Sequence, residues 1–214
     1  LVYTWNNRTL RSLAISLSTM NLAWGVVEIV VPVLILKHLG MGQDMVGYMF
    51  GLSGLFGVVS AFIAGRIRTE GRERLMIVIP AAAFIFTSAI LLWPGSLVPI
   101  ALSMAAAGLI NGPLDIALFT LRQRRTDPAW MGRAFTISMN LNFAGFPIGA
   151  ALAGVMLTIW PVEAAVGVAV AANVAGAILA YALIPQSDGA SPGLDAAAPA
   201  GAEAPATTDV AATA

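Results

Sequence analysis

The chain has 214 residues, of which 58% are hydrophobic and only 10% charged, and its mean hydropathy is +0.84. Soluble domains carry about a quarter charged residues, so this composition indicates a membrane protein. The net charge of zero offers nucleic acid no general attraction, and the absence of cysteine excludes disulfides, thiolate metal sites and a cysteine nucleophile. The sequence starts at Leu1 with no signal peptide before its first apolar run, and we expect it to begin inside a longer protein.

Six apolar segments are each long enough to cross a membrane as a helix, which takes about 20 mostly apolar residues. They lack the alternation of membrane strands, so we predict an all-α membrane domain over residues 12–184. Residues 1–11 are predicted to end an upstream linker. Residues 185–214 contain four acids and no base, and are predicted to form a disordered tail or a docking peptide. The predicted spans are Ser12–Leu36, Met45–Gly65, Leu75–Trp93, Leu97–Leu121, Ala134–Ile159 and Val162–Ile184.

The first span carries a polar stripe. Four residues spaced three, three and four apart share one broad helical face: Ser18, Asn21, Trp24 and Glu28. In a bilayer such a face must turn towards other helices or water. Pro32 lacks the N–H that would bond the carbonyl of Glu28, so the carboxylate coincides with a break in the backbone ladder. Breaks of this kind are tolerated where they are buried in protein or line a wet cavity.

Glu28 is the candidate for proton exchange or for contact with a cationic substrate. Burial disfavours the charged form of a carboxylate, which brings protonation within reach near neutral pH. A structural carboxylate that is paired within the bundle is the alternative. Asn21 and Trp24 are predicted to line a cavity beside it, or otherwise to bond and pack between helices.

The fourth span repeats this pattern, with Ser103, Asn111 and Asp115 on one face and a bend at Gly112-Pro113. We predict that Asn111 lines the same cavity. Asp115 is predicted either to lie on the transport path or to anchor an arginine of the neighbouring loops. The second span carries Gly47-x3-Gly51, a spacing typical of close helix packing.

The fifth span places Asn140 on one polar stripe with Thr136, and Asn142 on a neighbouring stripe with Ser138. Asn140 is predicted to line the cavity. A helix-packing motif follows in the same span, formed by Gly145, Pro147, Gly149 and Gly154. The third span is almost without polar groups and the sixth has only Asn173, so both are predicted to face lipid.

Basic residues concentrate before the first span, between the second and third, and between the fourth and fifth. If the six helices alternate in direction, these positions share one side, which the positive-inside rule makes cytoplasmic together with both termini. The loop arginines are predicted to set this topology, with gating contacts as a second role: Arg66, Arg68, Arg72, Arg74, Arg122, Arg124, Arg125 and Arg133.

Three stretches resemble motifs of the major facilitator superfamily. The loop "GRIRTEGRERL" (Gly65–Leu75) is similar to the loop that the family places after the second helix of each half. The stretch "LRQRRTDPAWMGRAFTI" (Leu121–Ile137) resembles the loop before the eleventh family helix, and "GFPIGAALAG" (Gly145–Gly154) resembles the antiporter glycine-proline motif. The chain as a whole is therefore similar to the carboxyl-terminal half of an efflux-type member.

The resemblance implies a six-helix bundle made of two inverted three-helix repeats, 12–93 and 97–184. It implies a small-molecule transporter that works by alternating access, coupled to protons, in a bacterial plasma membrane and with an amino-terminal six-helix half as partner. Drugs or other amphipathic compounds are the expected substrates. Uptake of a nutrient or metabolite is the alternative, and an accessory membrane scaffold is a third.

An intramembrane serine protease is the enzyme alternative, since six helices accompany a "GLSG" stretch that contains Ser53. The single histidine, His38, lies in the preceding loop, whereas Ser53 lies about 13 Å deeper by helix rise. A catalytic base must come within hydrogen-bond reach of its proton. We therefore expect no enzyme, no cofactor and no metal site.

Overall fold

The computed structural model describes residues 2–66 and 74–184, so the predicted tail and most of the loop Gly65–Leu75 lie outside the described residues. These described parts are helical and contain no strand, which confirms the all-α prediction. The helices are α1 (Val2–Asn6), α2 (Arg8–Val33), α3 (Gln43–Ala64), α4 (Leu75–Ile90), α5 (Leu97–Arg124), α6 (Met131–Phe143), α7 (Gly145–Ile159) and α8 (Val162–Leu183).

Five helical units in the described ranges are long and apolar enough to cross a membrane. They are Arg8–His38, Gln43–Ala64, Leu97–Arg124, Pro128–Ile159 and Val162–Leu183, and α4 is a sixth, shorter apolar helix. Exposed Trp and Tyr side chains lie at the helix ends, as at the two interfaces of a membrane. They are Tyr48, Trp93 and Trp160 at one end of the bundle and Trp5, Trp130 and Tyr181 at the other.

Asn7 directly precedes helix α2, and its side-chain oxygen accepts hydrogen bonds from the backbone N–H groups of Thr9 (3.1 Å) and Leu10 (3.2 Å). This is the usual chemistry of a helix amino-terminal cap. Near its other end α2 contains Pro32, and a π-helical turn over Leu34–His38 follows directly. The missing proline N–H and the π turn together loosen the regular backbone pattern beyond Glu28.

The predicted fifth span lies within one helical unit, Pro128–Ile159, which is interrupted locally at Ala144 between α6 and α7. Ala144 itself keeps helical dihedral angles (φ −59°, ψ −29°), so the interruption is a local irregularity of the helix. Pro147 accounts for it, since proline lacks the N–H that would have bonded the carbonyl of Phe143.

Helix contacts divide the bundle into two groups. Helix α2 packs along α6, α7 and α8, whereas α5 packs along α3 and α4. The main contact between the groups is the one between α4 and α8, and α2 touches α3 and α5 only sparsely. The first helix of each predicted repeat thus packs on the second and third helices of the other repeat.

One end of the bundle, named here the basic end, contains the starts of α2, α4 and α6 and the ends of α3, α5 and α8. Hydrogen bonds hold these termini together. The Ser12 hydroxyl donates to the carbonyl of Leu183 (2.9 Å), and the Asn7 side-chain amide donates to the carbonyl of Arg125 (2.9 Å). Exposed arginines at this end include Arg8, Arg66, Arg124 and Arg133.

Two apolar core clusters lie along the bundle axis. One is built around Leu13, Ile77 and Leu121 towards the basic end, and the other around Val30 and Ile100 towards the opposite end. The space between these clusters is only partly filled, and it contains the cavity described below.

Candidate functional site

A cavity of about 330 Å³ lies between the α2 group and the α5 group, at the depth where the two core clusters meet. Helices α2, α3, α4, α5, α6 and α8 all contribute to its wall. Its polar lining consists of Asn21, Ser53, Thr87, Ser88, Ser103, Asn111, Asp115, Asn142 and Asn173, and its larger apolar lining includes Met20, Trp24, Phe84, Met104 and Phe143. This mixture suits a ligand with both apolar surface and a few polar groups.

Among the residues that the structure describes, Asp115 is the only ionisable side chain in the cavity lining. It lies on α5 between Asn111 and Leu118, and it is exposed on the cavity side of the helix. The nearest interacting charge is Arg122, two helical turns closer to the basic end. The wall of the cavity therefore carries an acidic group, an arrangement that favours a positively charged or hydrogen-donating ligand.

Asn21 forms the main polar contact between α2 and α6. Its side-chain amide donates to the carbonyl of Asn142 (3.2 Å), to the side-chain oxygen of Asn142 (3.1 Å) and to the carbonyl of Leu17 (3.0 Å). Asn142 lies two residues before the interruption at Ala144. Asn21 therefore lines the cavity and at the same time joins α2 to the end of α6.

Helices α4 and α8 form the back wall of the cavity, although their apolar sequences predict that they face lipid. The Asn173 amide donates to the Ser88 hydroxyl (2.8 Å) and to the carbonyl of Phe84 (3.3 Å). The Ser103 hydroxyl donates to the carbonyl of Thr87 (2.7 Å), which joins α5 to the same network. These helices face lipid on one side only. The isolated pair Thr87-Ser88 and the single Asn173 were the signals available in the sequence.

The predicted pathway residues occupy different positions. Asn21, Trp24, Asn111 and Asp115 all line the cavity. Glu28 lies on the same face of α2 one turn beyond Trp24, but it is not part of the cavity lining. Its side chain is half-buried, and it forms no hydrogen bond or ion pair with the residues that the structure describes. Asn140 is exposed and also outside the lining. Asn142, two residues later on the neighbouring stripe, occupies the cavity wall instead.

Arg122 differs from the other predicted loop arginines, because it lies within the last turns of α5 and is only 1% exposed. Its Nε donates to the Ser138 hydroxyl (3.2 Å) and its Nη1 to the sulfur of Met139 (2.8 Å). Arg74 stacks on the ring of Tyr181 at 4.8 Å and donates to its carbonyl. Arg66, Arg124 and Arg133 are exposed and Arg125 is partly exposed, whereas Arg68 and Arg72 lie outside the described residues.

The glycine-proline motif forms the contact between α7 and α2. A Cβ atom at Gly145 would collide with the backbone of Ser18, and one at Gly149 would collide with the backbone of Leu22. Gly154 lies further along α7, where a Cβ atom would meet nothing within 4 Å. Two of the three predicted glycines therefore permit close approach of the helix backbones, as small residues do at membrane helix interfaces.

The described ranges offer no cluster of side chains that could form a metal site. They contain no group of three or more His, Cys, Asp or Glu side chains placed to hold an ion.

Comparison with known proteins gives two matches. A family model described as the Major Facilitator Superfamily matches residues 13–211. The uncharacterized MFS-type transporter y4rN of Sinorhizobium fredii is 39% identical over 156 residues, which make up 70% of this chain and 38% of the relative. The match thus spans well under half the length of that relative.

Proposed function

Since the chain belongs to the major facilitator superfamily, we propose that it is the carboxyl-terminal half of a transporter that exports amphipathic compounds by alternating access, coupled to protons. In this mechanism two bundles rock around a site near the middle of the membrane. The chain supplies one bundle, and an amino-terminal six-helix half supplies the other. The short match to the longer relative is consistent with this division.

The cavity between the two helix groups is the observation that carries the proposal. It lies at mid-depth in an apolar helical bundle, and its wall combines a carboxylate, several amides and aromatic rings. Polar groups at this depth are costly unless they bond to one another or meet water or a ligand. Asn111 and Asp115 make no hydrogen bond to the residues that the structure describes, so they are the groups left over for a ligand.

The chemistry of the wall supports an amphipathic substrate that is neutral or positively charged. Trp24, Phe84 and Phe143 offer flat apolar surface, and an aromatic face also attracts cations. Asp115 adds an acidic group, and no Lys, Arg or His side chain of the described ranges is part of the lining. The export direction is supported by the likeness of Gly145–Gly154 to the antiporter motif, whose glycines bring α7 against α2.

Proton coupling is assigned to the two acidic residues at membrane depth, Glu28 and Asp115. Glu163 is the only other acid within the predicted spans, and it lies in the first turn of α8 at a membrane end. A carboxylate that meets water in one conformation and protein in another can carry a proton between the two sides. The basic end is assigned to the cytoplasm by its arginines, and with it the chain termini.

Substitution of Asp115 by Asn in the full-length protein tests this assignment. We expect transport of a cationic amphipathic dye to fall at least about tenfold, because the charge that holds the cation is lost.

Glu28→Gln is expected to abolish accumulation of the dye against its concentration gradient, while exchange of the dye down the gradient continues. Dye flux in inverted membrane vesicles, with and without an imposed pH gradient, measures both effects.

Asp44→Asn is the matched control, because Asp44 is an exposed carboxylate at the opposite end from the arginines, outside the cavity. It should transport at the wild-type rate. Wild-type dye export and coupling in both Asp115→Asn and Glu28→Gln would remove these carboxylates from the mechanism.

A further inference from the structure

A network of hydrogen bonds on the back wall of the cavity joins the last turn of α4 to α5 and α8. Leu91, whose N–H would bond the Thr87 carbonyl in a longer helix, donates instead to the Ser88 carbonyl (3.1 Å). The hydroxyl of Ser103 on α5 donates to the Thr87 carbonyl in its place (2.7 Å). Carbonyls at a helix end need such donors, so the network caps α4 and holds α5 beside it.

Asn173 of α8 joins the network through its amide nitrogen. Nδ2 donates to the Ser88 hydroxyl (2.8 Å) and to the Phe84 carbonyl (3.3 Å). A carbonyl can only accept, so the nitrogen must face Phe84 and Oδ1 must point the other way. Oδ1 accepts no hydrogen bond in the described ranges, and it is not among their buried atoms that lack a partner. Since Asn173 lines the cavity, this oxygen is open to the cavity.

The Ser88 hydroxyl has a donor to spare. It accepts a hydrogen bond from Asn173 but donates to no group that the structure describes. A hydroxyl can do both at once, and Ser88 also lines the cavity. An acceptor, Asn173 Oδ1, and a donor, the Ser88 hydroxyl, therefore lie side by side on the back wall. They are named here the Ser88–Asn173 pair.

The Ser88–Asn173 pair and Asp115 lie at different depths of the cavity. Ser103, which bonds to α4 beside the pair, and Asp115 both line the cavity from α5. A rise of about 1.5 Å per residue places these two residues roughly 18 Å apart along the helix axis. The wall between them includes Met104 and Ala107, which are apolar. The cavity thus has an acidic end towards the basic end of the bundle and a neutral polar end away from it.

Burial makes an unused donor and acceptor costly, and Ser88 is only 2% and Asn173 5% exposed. A water molecule can bond to both groups, and so can a ligand hydroxyl or carboxamide that replaces the water. A methyl group in the same place would leave both groups unpaired. Sites of this kind discriminate strongly against an analogue that lacks the polar group.

We propose that the Ser88–Asn173 pair is a second substrate subsite, which holds a neutral group that both donates and accepts hydrogen bonds, such as a hydroxyl or a carboxamide. This group lies at the end of the substrate remote from the cationic group at Asp115. The substrates are then elongated molecules with two polar ends and an apolar middle. The subsite rests on the proposed function for the cationic end, but binding measures it without transport.

Two matched cations test the subsite. Both are alkyltrimethylammonium ions of one chain length, chosen to span roughly 18 Å, and one ends in a hydroxyl where the other ends in a methyl group. Calorimetric titration of each cation into the purified full-length protein in detergent gives the ratio of their Kd values. Partition of the cations into detergent is the same for every variant, so comparison of these ratios cancels it.

Ser88→Ala should reduce the preference for the hydroxyl-ended cation about tenfold, as for loss of a hydrogen bond at a buried site. The variant should fold, because Asn173 keeps its bond to the Phe84 carbonyl. Asn173→Ala should reduce the preference to a similar extent. A purely structural defect would instead weaken both cations equally and leave the ratio unchanged.

Two further variants are controls. Thr158→Ala removes an exposed hydroxyl from α7, outside the cavity lining, and should leave both Kd values unchanged. Asp115→Asn acts at the other end of the substrate, so it should weaken both cations by a similar factor and preserve their ratio.

A wild-type ratio in both Ser88→Ala and Asn173→Ala would overturn the subsite. Failure of the wild-type protein to bind either cation would overturn the proposed substrate class and the subsite with it. Full discrimination between the cations in a protein that exports neither would count against the proposed function and leave the subsite standing, so the two failures are distinguishable.

Discussion

At the scale of single residues, position relative to the α6–α7 break decides what each asparagine does. Asn142 lies beside the break and next to α2, where its carbonyl and its side-chain oxygen accept hydrogen bonds from Asn21. Asn140 is only two residues away but points out of the bundle. The two residues have the same chemistry, and only the rotation of about 200° over two helical residues separates their surroundings.

Asn21→Ala should therefore destabilise the protein, since three hydrogen-bond acceptors lose their donor. We expect the free energy of unfolding to fall by about 1–2 kcal/mol, the upper range for polar contacts between membrane helices. Thermal unfolding of the purified full-length protein in detergent measures this change. Asn140→Ala is the matched control and should unfold at the wild-type temperature. Equal unfolding temperatures for the two variants would contradict a stabilising role of the Asn21 hydrogen bonds.

At the scale of helices, α7 approaches α2 more closely than side chains would permit. Gly145 and Gly149 lie against the backbone of α2, and Gly25 of α2 lies against the backbone of α7 near Phe146. Because the glycines alternate between the two helices, the contact is continuous along one and a half turns. This close contact holds α7 against α2.

Gly149→Ala should separate α7 from α2, because the added Cβ would collide with the backbone of Leu22. We expect a loss of about 1–3 kcal/mol in the free energy of unfolding, as for overpacking of a filled core. Gly154→Ala is the control on the same helix, and the open space around it predicts neutral or slightly increased stability. Chemical denaturation of both variants in detergent compares them. A Gly149→Ala variant as stable as Gly154→Ala would disprove the close contact.

At the scale of the whole molecule, the exchange of helices between repeats creates the cavity. Since α2 packs on α6, α7 and α8, and α5 on α3 and α4, the polar faces of α2 and α5 meet across a space that neither group fills. The cavity thus results from the way the two helix groups pack, and no single helix forms it. It should hold water in the membrane, because amides and a carboxylate line it.

Cysteine labelling tests whether this cavity is wet. Cysteines at Trp24 and Asn111 should react with a small water-soluble thiol reagent at least about tenfold faster than one at Phe86, because a thiol in hydrocarbon stays protonated and unreactive. Phe86 is a demanding control, since its side chain is 71% exposed and yet faces the membrane. Rates measured on intact membranes decide the question. Equal rates at the three positions would contradict the proposed division into wet and lipid-facing surfaces.

Much of this architecture was predictable from the sequence, because long apolar segments dictate membrane helices almost alone. The polar stripes of the first and fourth spans likewise identified Asn21, Trp24, Asn111 and Asp115, which all lie in the cavity lining. The roles of α4 and α8 were not predictable in this way. Thr87, Ser88 and Asn173 are isolated polar residues on apolar helices, and they form a pattern only after α4 and α8 meet.

The break at Ala144 was hidden for a different reason. Pro147 was visible, but a proline in a membrane helix can leave the helix nearly regular or interrupt it locally, and tertiary contacts decide between them. The burial of Arg122 was also hidden, because a run of arginines near a helix end is typical of a solvated loop. Only the position of α6 shows that one member of this run faces inward.

The hydrogen bonds between Asn21 and Asn142 join residues that are 121 positions apart. At a synthesis rate of about 5–20 residues per second, α2 leaves the ribosome roughly ten seconds before the helix that will cover its polar face. During this interval the newly synthesised helix α2 carries Glu28 and Asn21 but lacks the helices that later pack against them, so it must stay beside the insertion machinery. The quantity of protein that a cell produces should therefore respond to the polarity of this one helix more sharply than to the polarity of any later one.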